Sequence, residues 1–146
     1  MKRFSFRLEQ VLDWRRQQAE IEETKLERLF CELRKAEADQ QQAERDRAEA
    51  ADSVLTGASV TAQDLAALDS YRQHLDRVKR RLEQQHADCL KRIAEQQKHV
   101  RESQRRVKLL ENLKDRRLHD WEYALQREVD NLAAELHLTR RASPTP

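Results

Sequence analysis

The sequence is poor in the residues that end helices and form tight turns. It contains one glycine, Gly57, and its two prolines, Pro144 and Pro146, fall within the last three of 146 residues. A chain with no interior proline and a single glycine has few positions at which a turn can form. Aromatic residues make up only 5% of the chain, which argues against an ordinary globular core.

Cysteine and long hydrophobic runs are also scarce. Two cysteines, Cys31 and Cys89, are too few for a disulfide framework. No run approaches the roughly 20 apolar residues that cross a membrane, and Arg7 and Glu9 interrupt the apolar stretch that a secretory signal would need. We therefore expect a cytosolic protein without membrane insertion, in which both cysteines are reduced.

Motifs of common catalytic and cofactor sites are missing. One glycine cannot build a phosphate-binding loop, and the scattered histidines and cysteines lack the spacing of a zinc site. The carboxylates fall on solvated helix faces, where no cavity could tune their pKa values for catalysis. These absences predict a protein that is not an enzyme and that holds no cofactor or metal.

Charge and helix-forming residues are what the sequence has in abundance. Charged residues make up 38% of the chain, and the dominant Ala, Glu, Gln, Leu, Arg and Lys all favour helices. High charge is also compatible with disorder, but the spacing of the apolar residues favours helices. One apolar stripe runs from Leu8 to Val54 and another from Leu65 to Leu110, both at alternating steps of three and four residues, the pattern of a coiled coil.

Residues 55–65 hold the one strong turn signal. Gly57 is placed to end the first helix in the left-handed conformation that glycine adopts most easily. Thr61 can cap the second helix, with Asp64 completing a variant of the capping box. Because a short connection makes two helices antiparallel neighbours, we predict an all-α fold, a two-helix antiparallel coiled-coil hairpin whose second helix is longer than the first.

The predicted boundaries follow from these signals. A single antiparallel coiled coil spans residues 1–141, with helix one at about 5–56, the tip at 57–60 and helix two at about 61–140. Residues 142–146 are predicted to form a disordered tail.

The short tip also predicts which stripe residues face each other. Its register places Glu22 opposite Gln96 and Leu29 opposite Cys89. Cys31 lies off the stripe, so we expect no disulfide bond between the two cysteines.

The second helix continues beyond the residues that the first helix can cover. Three of the seven aromatic residues, Phe4, Phe6 and Trp14, lie near the same end of the hairpin. They can fold back onto the second helix, dock onto a partner, or do both, and the uncovered stripe could also join two copies of the chain. That stripe keeps to steps of three and four residues through Leu118, Trp121, Leu125, Val129, Leu132 and Leu136.

Residues 98–117 are rich in lysine and arginine. Such a run can bind nucleic acid, but it is more often a solvated helix face, and here no aromatic residues are interleaved for base stacking. We expect no nucleic-acid partner and favour an acidic protein surface, because complementary charge steers docking.

Two stretches resemble one known family. The segment FSFRLEQVL at residues 4–12 resembles the opening of FliJ proteins, a Phe-x-Phe-x-Leu-x-x-Val-Leu pattern. Residues 107–135 are similar to the family's second signature, a run rich in lysine and leucine followed by a helix rich in glutamate. The sequence departs from the family at Trp14, Gln17 and Gln18, where aliphatic or acidic residues are common.

The resemblance implies a non-enzymatic stalk of the flagellar type III protein export apparatus. Such a stalk is an antiparallel coiled coil at the cytoplasmic face of the inner membrane at the flagellar base. The end with both termini docks in the ring of the export ATPase hexamer and promotes its assembly and activity. The protein also contacts the cytoplasmic part of the export gate and escorts export chaperones.

Carried onto this sequence, the resemblance implies two sets of contact residues. Gate contacts near the tip would fall on Tyr71 and Leu75. Ring-docking contacts would fall on Phe4, Phe6, Leu8, Val11, Leu12, Leu118, Trp121 and Leu125. Alternative interpretations are the equivalent stalk of an injectisome, which the Phe-x-Phe opening disfavours, and a generic coiled-coil scaffold or homodimer.

Overall fold

Two α-helices make up almost all of the protein. The computed structural model describes residues 3–57 and 59–142, with α1 at Glu9–Leu55 and α2 at Ala62–Ala142. The described residues contain no strand. At 81 residues, α2 is longer than α1, which has 47, and the two pack against each other. The predicted all-α hairpin with a longer second helix is confirmed.

Helix α1 begins later than the predicted start near residue 5. Residues 3–6 have no regular secondary structure, and the helix begins at Glu9, whose N–H donates to the carbonyl of Phe6 at 3.1 Å. Within this segment the centroid of the Phe4 ring lies 6.0 Å from that of the Trp121 ring, a long-range contact that local helix propensity does not include. Of the expected tail at 142–146, only Ala142 lies within the described residues, and it is the last residue of α2.

The cap of α2 is confirmed at the tip. The Thr61 N–H and hydroxyl both donate to Asp64 Oδ2, at 2.9 and 2.6 Å, and the Asp64 N–H donates back to Thr61 Oγ1 at 3.1 Å. These reciprocal bonds satisfy N–H groups that have no partner within the helix. The Thr61 hydroxyl and backbone hold the pKa of the Asp64 carboxyl below its ordinary value.

The left-handed conformation predicted for Gly57 is wrong. No described residue has a positive φ. In the preceding turn the Thr56 N–H and hydroxyl both donate to the carbonyl of Asp52, at 2.9 and 2.8 Å. The Ser53 hydroxyl donates to the carbonyl of Ala50 at 3.0 Å. Side-chain bonds of this kind give the end of α1 a local alternative to the left-handed glycine motif, and this alternative needs no positive φ.

The structure divides into two compact units. The central unit comprises residues 21–101, and the terminal unit comprises residues 1–20 and 102–146. The core of the central unit is a line of buried side chains, all on the predicted stripes: Leu29, Ala36, Leu68, Leu75, Cys89, Ile93 and Val100. The central unit is thus a two-helix seam joined by the tip.

The register predicted within the central unit is confirmed at one layer. Gln96 Nε2 donates to Glu22 Oε2 at 2.6 Å and to the Glu22 carbonyl at 3.0 Å. Both cysteines are free, Cys31 exposed and Cys89 buried, as predicted. Cross-helix ion pairs such as Lys79–Glu44 at 2.8 Å flank the seam. Because such pairs are exposed, water and salt screen them and they contribute little to stability.

The terminal unit has a smaller core. Leu12 is fully buried and Ala19 is 8% exposed. Two ion pairs link its helix segments, Lys114 to Glu9 at 2.8 Å and Arg16 to Glu111 at 2.9 Å. The Glu111 carboxylate accepts hydrogen bonds from Arg16 and thereby raises the pKa of that guanidinium.

Candidate functional site

A groove of about 810 Å³ opens on the terminal unit. Its apolar lining comes from two parts of the chain that lie more than a hundred positions apart. Phe4, Phe6 and Leu8 come from the first part, and Leu113 and Trp121 come from α2. Its polar lining consists of Ser5 and three arginines, Arg3, Arg7 and Arg117, with no carboxylate. The groove therefore combines apolar contact area with positive charge, which is the composition of a protein-binding surface.

Residues 3–6, which precede α1, line one side of this groove. The Phe4 and Trp121 rings meet at 6.0 Å between centroids with 55° between their planes, a tilted aromatic pair of a stabilising geometry. Phe4, Phe6 and Trp121 are all only half-buried, and Leu8 is 37% exposed. Of the alternatives left open by the sequence, folding back is observed for Phe4, while the half-buried rings keep surface that a partner could cover.

The three arginines of the groove differ from three other cations of the terminal unit. Arg16, Arg106 and Lys114 each form an ion pair with a glutamate. Within the described residues, no ion pair involves Arg3, Arg7 or Arg117. Their guanidinium groups therefore retain their hydrogen-bonding capacity for an anionic ligand.

Only part of the predicted ring-docking set lines the groove. The structure brings together Phe4, Phe6, Leu8 and Trp121. The other predicted residues lie elsewhere on the helices: Val11 is 42% exposed, Leu118 and Leu125 are half-buried, and Leu12 is fully buried in the core. In this conformation Leu12 is inaccessible to a partner.

The end of α2 carries a largely uncovered apolar stripe. Val129 is 50% exposed, Leu132 58% and Leu136 65%. These side chains continue the spacing of Leu118, Trp121 and Leu125, but they are markedly more exposed. Their exposure keeps open the alternative that the stripe joins two copies of the chain.

A second, smaller groove of about 430 Å³ lies at the tip of the central unit. Tyr71 lines it and is 40% exposed, together with Val54, Gly57 and Leu68. Leu75, predicted as the other gate contact, is only 7% exposed and belongs to the seam. Tyr71 is therefore accessible to a partner, whereas Leu75 lies under the surface.

Sequence reasoning singled out the phenylalanines but missed the arginines that accompany them. Arg3 and Arg7 flank Phe4 and Phe6 directly, and this alternation was the available signal. Arg117 could not be assigned from the sequence, because its proximity depends on how residues 3–6 lie against α2.

Two kinds of site are not found in the described part of the chain. No group of three or more His, Cys, Asp or Glu side chains there could hold a metal ion. No helix within residues 3–57 and 59–142 has a stretch apolar enough to span a bilayer.

A helical hairpin with an apolar, arginine-rimmed groove belongs to the class of coiled-coil interaction proteins. The model of one family, described as flagellar FliJ protein, matches residues 4–142. The chain belongs to the FliJ family. No curated protein and no solved structure matches it. Membership makes it a coiled-coil protein related to flagellar type III export, in a family of non-catalytic export components.

Proposed function

We propose that this protein is the stalk of the flagellar export ATPase. It docks in the ATPase ring, promotes ring assembly and activity, and escorts export chaperones to the export gate. The groove on the terminal unit supports this proposal most directly, since half-exposed aromatic side chains provide the contact area that a docking end requires. The site of action is the cytoplasmic face of the inner membrane at the flagellar base.

Docking uses the terminal unit. Phe4, Phe6, Leu8 and Trp121 contact the ring directly, and Val11, Leu118 and Leu125 extend the contact along the helices. Leu12, fully buried, holds α1 in place beneath them. Such a division between exposed contacts and a buried support is typical of interfaces in which a few aromatic residues dominate the binding energy.

The tip of the central unit contacts the export gate. The exposed Tyr71 ring is the direct contact, and the buried Leu75 keeps α2 seated against α1 below it. The stalk performs no chemistry itself. It shifts the ATPase toward the hexamer because it binds the assembled ring more tightly than the separate subunits.

The experiment is a titration of the protein into the flagellar export ATPase of the same organism, followed by hydrolysis rate and hexamer fraction. The test variant combines Phe4→Ala, Phe6→Ala and Leu8→Ala. A matched control combines Ile21→Ala, Phe30→Ala and Leu90→Ala, which are exposed large side chains of the central unit. Circular dichroism confirms that each variant is helical.

We expect the wild type and the control to raise both readouts. The test variant should need at least about tenfold more protein for the same effect, which corresponds to the loss of about 1.4 kcal/mol of binding. If the wild type changes neither readout, the stalk proposal is wrong. If the control fails together with the test variant, the terminal groove is not the docking site.

The exposure of Val129, Leu132 and Leu136 favours a second candidate, a coiled-coil scaffold that dimerises through this stripe. Native mass spectrometry at micromolar concentration separates the two candidates. The scaffold would be supported if the wild type is a dimer that does not stimulate the ATPase and Leu132→Asp converts this dimer to a monomer.

A further inference from the structure

We propose that the groove on the terminal unit binds a carboxylate-rich segment of its protein partner that also carries an apolar anchor side chain. The identification of that partner as the export ATPase ring rests on the proposed function. The chemistry of the bound segment rests on the groove alone. The proposal thus names what the docking end recognises, and it adds Arg3, Arg7 and Arg117 to the residues that recognise it.

The charge of the groove is the first argument. Arg3, Arg7 and Arg117 line one concave surface without a carboxylate beside them. Some other cations of the same unit form ion pairs within the chain, as Lys114 does with Glu9 at 2.8 Å. Three guanidinium groups around one groove repel each other weakly and gain most from an anionic ligand. Arginine suits carboxylates in particular, because its planar fork can donate two parallel hydrogen bonds to them.

The apolar floor is the second argument. Phe4, Phe6 and Trp121 are half-buried, and Leu8 and Leu113 are 37% and 36% exposed. A purely ionic ligand would leave this surface in water. A segment that places an aliphatic or aromatic side chain against the floor would cover it and would also exclude water from the arginine contacts, which strengthens them.

The same features favour a protein segment over nucleic acid. Phe4 already packs against Trp121 in a tilted pair, which leaves these rings poorly placed to stack on bases. The net charge of the whole chain is only +2, and the basic run at residues 98–117 has no interleaved aromatic residues on which bases could stack. The cluster of positive charge is local, about the size of a few side chains.

The direct test is fluorescence anisotropy of the full-length protein with a labelled peptide of about ten residues. In this peptide, pairs of glutamate alternate with leucine and phenylalanine. Its twin has glutamine in place of every glutamate and the same apolar residues. A third peptide keeps the glutamates but has serine in place of leucine and phenylalanine. The three probes separate the ionic contribution from the apolar one without changing the protein.

We expect the glutamate peptide to bind at least about tenfold more tightly than either of the other two, with an affinity that falls as salt is raised. Combined Arg3→Gln, Arg7→Gln and Arg117→Gln should reduce binding of the glutamate peptide by at least about tenfold and leave the glutamine twin unaffected. A matched control, Arg105→Gln with Lys108→Gln and Arg127→Gln, removes the same charge from exposed helix positions outside the groove and should bind like wild type.

Three outcomes would overturn the proposal. Equal binding of the glutamate and glutamine peptides would show that the arginines do not read carboxylates. Equal losses in the groove variant and its control would show a general charge effect. Tighter binding of single-stranded RNA or of phosphatidylglycerol vesicles than of the glutamate peptide, lost in the same groove variant, would assign the groove to phosphate ligands.

The outcome for the ATPase is separate. If the groove variant stimulates the export ATPase like wild type, the stalk function stands and the proposed recognition of an acidic segment in the ring fails. If the glutamate peptide binds the groove but wild-type protein does not stimulate the ATPase, the recognition chemistry stands and the partner has to be sought elsewhere.

Discussion

The central and terminal units differ in how many apolar side chains they bury. The central unit has a continuous line of buried aliphatic side chains from both helices, whereas Leu12 and Ala19 are the only buried residues described in the terminal unit. The distribution of aromatic residues is reversed, since all except Phe30 and Tyr71 belong to the terminal unit. The large apolar side chains of the terminal unit are thus mostly at its surface.

This difference shows where each unit obtains its stability. A seam of small and aliphatic residues is sufficient to hold two helices together without large aromatic side chains. Aromatic residues that are half-exposed contribute little to folding, but they offer a large contact area to a partner. The central unit therefore has its own buried seam, whereas the terminal unit keeps apolar surface that a partner could cover.

The largest expected effect is a loss of stability when a buried side chain of the central unit is truncated, compared with the same change at an exposed side chain of the terminal unit. Ile93 is 5% exposed and Leu136 is 65% exposed. Ile93→Ala should lower the free energy of unfolding by about 2–4 kcal/mol, because it removes buried methyl groups and leaves a cavity. Leu136→Ala should change it by less than about 0.5 kcal/mol. Urea denaturation followed by circular dichroism measures both.

Similar losses in the free energy of unfolding for Ile93→Ala and Leu136→Ala would contradict the difference between the two units. A loss above about 1 kcal/mol for Leu136→Ala would mean that the stripe of α2 is covered in solution, and repeating the measurement across protein concentrations would show whether a second copy covers it.

A smaller effect is expected at the tip of the central unit. Thr61→Ala removes the reciprocal cap and should cost about 1 kcal/mol. Hydrogen exchange should accelerate in the first turn of α2 and stay unchanged around Leu12 in the terminal unit. Thr61→Ser, which keeps the hydroxyl, is the matched control and should behave like wild type. Faster exchange in both units would show that they do not open independently.

The same cap predicts a pH dependence. Because the pKa of Asp64 is lowered in the folded protein, its contribution to stability is complete above the unfolded value near 3.8 and is lost as the pH falls through the lower, folded value. A carbon-detected NMR titration should give Asp64 a midpoint below that value. Thr61→Ala should move the midpoint up, and an unchanged midpoint would contradict the assigned hydrogen bonds.

The smallest expected effect is that of Gly57→Ala. A Cβ built on Gly57 lies 3.5 Å from the carbonyl oxygen of Val54, an ordinary contact, and its φ is not positive. The substitution should therefore raise the free energy of unfolding by about 0.5 kcal/mol, since alanine restricts the unfolded chain. Thermal denaturation measures this gain, and a loss above about 1 kcal/mol would mean that the glycine adopts a left-handed conformation after all.

The parts of the fold that depend on local spacing could be predicted. Apolar steps of three and four residues predicted the two helices, and the Thr61–Asp64 pair predicted the cap. The position of the tip at residues 57–60 then predicted that Glu22 faces Gln96, and the structure shows a hydrogen bond between them. All of these depend on residues that are close in sequence or are related by one short connection.

The parts of the fold that depend on long-range packing could not be predicted from the sequence. The late start of α1 leaves Phe4 in contact with Trp121, more than a hundred positions away, and Arg117 shares the groove with residues equally distant in sequence. The conformation of Gly57 was mispredicted because α1 ends with local bonds from the Ser53 and Thr56 hydroxyls to carbonyls of the preceding turn, an ending that needs no positive φ. Hydroxyl groups compete with glycine for this role, and the sequence alone does not show which succeeds.

The apolar stripe at the end of α2 has one more consequence, which concerns handedness. Val107, Leu118 and Val129 are separated by eleven residues each, and each is followed three residues later by a further apolar residue. The central unit instead follows a seven-residue repeat, which coils helices in a left-handed sense. An eleven-residue repeat has about 3.67 residues per turn and favours a slightly right-handed coil. A helix that packs along this part of α2 is therefore expected to wind in the opposite sense to that favoured by the seven-residue repeat of the central unit.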